Sequence, residues 1–122
     1  MGIRRGTTPE HTITLPFEVP AGAYLRIVYA QADEKSVDGE RVLFEKTEKD
    51  CTVSGKTVST KLTADETLRF DCGVHFYNGR LQTLPVFIQL GIETKEGEKA
   101  WSHIIVTTVE RCLRKDGVIR NG

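Results

Sequence analysis

The residues best suited to bind a metal are Cys72 and His75, held close by Cys72-Gly73-Val74-His75. This pair supplies two ligands where a structural zinc needs four, and no spacing recruits Cys51, Cys112, His11 or His103 to complete the set. His75 and His103 therefore read as strand residues. Nucleophilic catalysis requires a hydroxyl or thiol beside an oriented base, and the Gly-x-Ser-x-Gly elbow, a Cys-His signature and Ser-x-x-Lys are all missing. The glycines are scattered over turns rather than bunched before a helix, so they form no phosphate cradle. Carboxylates are numerous, but nothing in their spacing sets two of them across a cleft. We expect no enzyme, no catalytic residue, no cofactor and no metal. Tyr24, Tyr77 and Trp101 have two readings: a sugar-stacking platform on a carbohydrate-binding module, or core and rim packing.

Charge narrows the range of partners. Seventeen Lys and Arg balance seventeen Asp and Glu over 122 residues, which lacks the cationic excess that nucleic-acid binders need. Arg4, Arg5, Arg111, Arg114, Lys115 and Arg120 make both ends basic and leave the middle acidic. These arginines read either as solvated ends or as tails that dock on acidic neighbouring subunits. No dozen consecutive apolar residues occur, so neither a membrane span nor a signal peptide is expected, and the protein should begin near Met1. Met1-Gly2 lacks the Ser or Thr that myristoylation wants at position six, where Gly6 stands. Three cysteines form no disulfide framework and read as reduced thiols, with Cys72 a small core hydrophobe.

The elements that must position these residues follow a period of two. Ile13, Leu15 and Phe17 share one face of a first strand; Leu25, Ile27 and Tyr29 share one face of a second over residues 23–32. Asp38-Gly39 reverses the chain into a strand over 42–46, and Ser54-Gly55-Lys56 joins 51–53 to 57–62, with Val58, Thr60 and Leu62 on one face. Thr63-Ala64-Asp65-Glu66 has the spacing of a capping box and predicts one turn, after which Leu68, Phe70 and Cys72 predict a strand. Asn78-Gly79 predicts a hairpin or elaborated loop within 76–84. Val86, Ile88, Leu90 and Ile92 then alternate, turning at Glu96-Gly97 into 101–109; this last hairpin reads as the centre of the sheet, with Ile104, Ile105 and Val106 covered on both faces and Pro85 at a strand start.

The pattern predicts an all-β fold, an immunoglobulin-like antiparallel β-sandwich of seven to nine short strands in a single domain over 1–122, with a small barrel as the alternative. Mobile ends are expected over about 1–10 and 111–122, as arms that order only against neighbours.

The opening Met1-Gly2-Ile3-Arg4-Arg5-Gly6-Thr7-Thr8-Pro9 and the alternating 11–17 resemble a family of small proteins encoded among the virion genes of tailed phages and prophages of Gram-positive bacteria. Further likeness lies in Tyr29-Ala30-Gln31, Phe44-Glu45-Lys46-Thr47, residues 62–70, Phe87-Ile88-Gln89-Leu90, Ser102-His103-Ile104-Ile105 and Asp116-Gly117-Val118-Ile119, nearly the full chain. Such proteins are similar in strand pattern to the immunoglobulin-like N-terminal domains of phage baseplate upper proteins, which build into the virion and carry no chemistry. Residues 75–84 look like an insertion, and no fibre or receptor-binding domain follows. The resemblance therefore implies an adaptor, decoration or assembly role in baseplate, tail or head. Synthesis in the host cytoplasm and residence in the virion are implied too, with other virion proteins and copies of itself as partners, and neither nucleic acid nor membrane. Residues 2–9 and 111–122 are the expected contact segments.

Overall fold

A computed structural model of the chain describes residues 2–33, 36–71, 75–77, 80–82, 85–110, 116 and 118–120; for 75–77 and 80–82 it describes the backbone alone. Eleven strands appear among them: β1 (Ile3–Arg4), β2 (Glu10–Thr14), β3 (Tyr24–Ala32), β4 (Glu40–Thr47), β5 (Cys51–Ser54), β6 (Thr57–Lys61), β7 (His75–Tyr77), β8 (Arg80–Gln82), β9 (Pro85–Glu93), β10 (Lys99–Trp101) and β11 (Ile105–Glu110). One short helix, α1 (Ala64–Leu68), follows β6.

The strands form a six-stranded sheet in the order β1-β11-β9-β3-β4, with β10 also paired to β9, and a three-stranded sheet in the order β2-β6-β5. Side chains from the two sheets make one core, so the fold is an all-β sandwich, as the alternation predicted. Strands β2-β6-β5 and β11-β9-β3-β4 follow the order of an immunoglobulin-like sandwich with one extra strand beyond the C strand, while β1 departs from it by joining the larger sheet; α1 sits in the crossover between the fifth and sixth strands of that scheme. A separate antiparallel ribbon of β7 and β8 lies in the same crossover in sequence, within the stretch read as an insertion; its turn residues Asn78 and Gly79 fall outside the described residues, as do Cys72 and Cys112.

Period two fixes which side chains meet in the middle. Leu25, Ile27 and Tyr29 of β3, Val86, Ile88, Leu90 and Ile92 of β9, and Val58 and Thr60 of β6 with Leu62 just beyond it are all buried, each on the face the sequence assigned. At the centre Tyr29 stacks on Phe44 with ring centroids 4.7 Å apart, and Phe70 leans on both. The Tyr29 hydroxyl lies 2.8 Å from His11 Nδ1. Burial holds the phenol's pKa well above its usual value and pushes that of His11 down, so the contact joins two groups for which burial favours the neutral form. Gly39, Gly55 and Gly97 take positive φ at the three reversals that the sequence placed there.

The structure corrects five expectations. Both capping-box bonds form, Glu66 N–H to Thr63 Oγ1 at 3.1 Å and Thr63 N–H to Glu66 Oε1 at 2.9 Å. They carry the helix through Leu68, so no strand forms over 68–71, and Phe70 enters the core from just beyond the helix end. The first strand stops at Thr14; Leu15 stays buried, donating its N–H to the Lys56 carbonyl at 2.8 Å, but Phe17 is exposed. His103 lies in the break between β10 and β11 rather than on a strand. Strand β9 is the middle of the large sheet, flanked by β3 and β11, so the last hairpin does hold its centre, but Ile104, Ile105 and Val106 are exposed rather than covered.

The N-terminal segment is the fifth. Instead of an arm awaiting a neighbour, it contributes β1, which pairs in parallel with Val109 and Glu110 and makes the large sheet mixed rather than wholly antiparallel. Ile3 is buried in the core. Thr67, fully buried in α1, donates to the Thr7 carbonyl at 2.8 Å and accepts from Gly6 N–H at 3.0 Å, clamping the segment from its other side.

Candidate functional site

Strand register brings two of the three sequence-nominated aromatics to one place. Tyr24 pairs across with Glu93, which pairs with Lys99; two residues along, Arg26 pairs with Gly91, which pairs with Trp101. Directly opposed residues share a face, and these two rows sit on the outer face, since the intervening Leu25 and Ile92 point into the core. Tyr24 and Trp101 are 57% and 56% exposed.

Gly91 explains the pose of the indole. A Cβ placed on it would stand 2.5 to 2.7 Å from three carbons of the Trp101 six-membered ring, so the ring rests directly against the backbone of β9. Only glycine permits that approach. A groove of about 410 Å³ opens beside the ring, bounded by Tyr24, Arg26, Glu48, Glu93 and Lys99. Lys99 pairs with Glu93 at 3.7 Å, and Arg26 with Glu45 at 3.5 Å. The groove thus carries two cations and two carboxylates around a half-open aromatic surface. The side chain of Tyr77, the third aromatic, lies outside the described residues.

A second groove, of about 320 Å³ and mostly apolar, runs where the two sheets part company. Leu15 and Phe17 bound it on one side, and Leu90, Ala100 and Ile105 on the other. Next to it, Ile104, Ile105 and Val106 are 52%, 40% and 60% exposed and Phe17 is 42% exposed. Ile105 opposes the buried Ile88 and so faces between the sheets, whereas Val106 opposes Phe87 and faces outward.

The basic ends behave differently from tails with free charges. Arg4 pairs with Glu110 at 3.0 Å, and Arg5 donates to the Leu68 carbonyl at 2.9 Å, so both are engaged within the chain. Arg120 is exposed; Arg111 and Arg114 lie outside the described residues. Among the described residues no three His, Cys, Asp or Glu side chains gather as a metal site. Burial raises the pKa of the Cys51 thiol, which keeps it protonated and a poor nucleophile.

Sequence alone missed Arg26, Glu48, Gly91, Glu93 and Lys99. Gly91 had a signal, an isolated glycine inside an alternating strand, which marks a close approach. The charged residues had none, because their convergence depends on the pairing of β3, β9 and β10. Comparison of the chain with protein-family models, curated proteins and solved structures found no match in any of the three.

Proposed function

We propose that this protein is a non-enzymatic structural or assembly module of a tailed-phage virion, an adaptor or decoration of baseplate, tail or head that works through protein–protein contacts. The observation that carries the reading is the run Ile104-Ile105-Val106, three β-branched apolar side chains exposed in succession beside an open apolar groove and the exposed Phe17. Monomeric proteins seldom leave such side chains contiguous in water, and patches of this kind mark contact surfaces. A strand that exposes apolar groups on both of its faces suits burial against a flat neighbour, either another virion protein or a second copy of the chain. The sequence resemblance to small virion proteins supplies the setting, and the balanced charge fits protein rather than nucleic-acid partners.

Light scattering over a wide concentration range tests self-assembly. The wild type is expected to form a defined oligomer, and Val106→Glu, at a position exposed enough to tolerate charge, is expected to shift it to monomer. A wild type that stays monomeric throughout overturns self-assembly. The virion setting has its own test, mass spectrometry of particles induced from the source bacterium. Presence of the chain at fixed stoichiometry supports the setting, and its absence from particles overturns it.

A further inference from the structure

We propose that the groove beside Trp101 is a binding site for a neutral sugar ring, stacked on the open face of the indole and held at its hydroxyls by Arg26, Glu48, Glu93 and Lys99. This is a second function of the sandwich, on the outer face of its large sheet, and it does not depend on the assembly reading.

Four observations converge. Trp101 is held by construction rather than left free: one ring face lies against Gly91 so closely that no Cβ fits between them, while over half of the side chain's area remains open to solvent. A fixed flat apolar surface of this kind loses little entropy on binding, which suits ligands that present a flat face of C–H groups. Tyr24, equally exposed and on the same face of the sheet, adds a second aromatic wall. The groove's volume of about 410 Å³ falls within the roughly 300–1,000 Å³ typical of small-molecule sites.

Charge selects the ligand class. Arg26 and Lys99 offer donors only, and Glu48 and Glu93 offer acceptors only, so the rim can satisfy hydroxyl groups, which both donate and accept. Two cations against two carboxylates leave no net charge to attract an anion. A nucleotide would stack equally well on the indole, but its phosphate would share the groove with Glu48 and Glu93. An aliphatic peptide side chain would offer the charged rim no hydrogen bond. A pyranose, apolar on its ring faces and polar around its edge, matches both parts.

Trp101 is the protein's single tryptophan and lines both this groove and the apolar one, so a change in its emission is assigned to this groove by its loss in Arg26→Ala, which alters this groove alone. The test titrates the intact chain with the trisaccharides of β-1,4-linked glucose, β-1,4-linked N-acetylglucosamine and α-1,4-linked glucose, and with AMP. At least one trisaccharide is expected to change the emission saturably in the low-millimolar range or below, with AMP inert. Saturation-transfer NMR, which needs no tryptophan, is expected to show that binding lost in Trp101→Ala. Gly91→Ala touches no ligand but must tilt the ring, and it is expected to weaken binding by about tenfold while the protein stays folded. The proposal is overturned if none of the three sugars binds, if AMP alone binds, or if Trp101→Ala binds as well as wild type.

Discussion

Replacing Thr67 by Val tests how the N-terminal segment is held. The change preserves side-chain shape and removes one hydroxyl, which in the native fold accepts from Gly6 N–H at 3.0 Å and shares its single proton between Thr7 O at 2.8 Å and Ala64 O at 3.1 Å. The Ala64 contact is local to α1, so two bonds bear on the fold across some sixty residues of chain. Each net hydrogen bond is worth about 1 kcal/mol, and a partner stranded in a buried setting costs about 1–3 kcal/mol. Because Thr67 is fully buried, water does not readily replace the hydroxyl, and the expected loss is about 2–3 kcal/mol. For a domain of this size that corresponds to a fall in Tm of roughly 10 °C. Urea unfolding is expected to give a lower midpoint with an unchanged slope. Limited trypsin digestion should show faster cleavage after Arg4 and Arg5, which Ile3, β1 pairing and the Arg5 bond to Leu68 O otherwise shelter. Thr67→Ser keeps the hydroxyl and should lose about 1 kcal/mol, from the missing methyl. The reasoning is refuted if Thr67→Val stays within about 0.5 kcal/mol of wild type, or if Ser proves as damaging as Val.

Other parts of the fold yield further expectations. Lys46 is buried and ion-paired to Glu66, so Lys46→Met should cost about 3 kcal/mol by stranding the carboxylate, while the double variant with Glu66→Gln recovers part of it; additive losses in a double-mutant cycle would exclude coupling. His11 is held below its ordinary pKa of 6.5 by burial, so the unfolded chain takes up the proton first; its contribution to stability is complete above that value and is lost as pH falls through the lowered one. Melts at pH 7.5 and 5 should accordingly show a larger drop for wild type than for His11→Gln. Phe70→Ala, which empties the middle of the aromatic cluster, should cost about 3–5 kcal/mol by urea unfolding. Gly55 has φ +58° with open space around it, so Gly55→Ala should cost about 1–2 kcal/mol from backbone strain alone, and equal stability would refute that account.

Local rules were written plainly into this chain. Alternation named the buried faces of β3, β6 and β9, because the pleat forces successive side chains to opposite sides whatever the partner strand. Gly39, Gly55 and Gly97 marked their reversals because each takes a backbone angle that other residues resist. The capping box at Thr63 and Glu66 declared a helix start, since both bonds are local to four residues. The same local reading failed one step later at Leu68: alternation over 68–72 competed with a helix that was already nucleated, and the helix prevailed through Leu68.

Which strand lies beside which is a question of long-range pairing, and there the sequence was silent or misleading. Three consecutive apolar residues at 104–106 suit a covered central strand and an exposed contact strand equally well; the tertiary pairing decides, since 105–108 pair with β9 on one side only and β1 reaches β11 no further than Val109 and Glu110. Arg4 and Arg5 looked like free tail charges until β1 set them beside Glu110 and Leu68. Tyr24 and Trp101 are seventy-seven residues apart and share a groove because β9 lies between their strands with a glycine at the crossing point. Composition and periodicity thus determined that the chain is an all-β sandwich and which residues fill it, since burial follows from local geometry. The surfaces on which function rests were decided by tertiary structure, because neighbours on a sheet are chosen by pairing rather than by position in the chain.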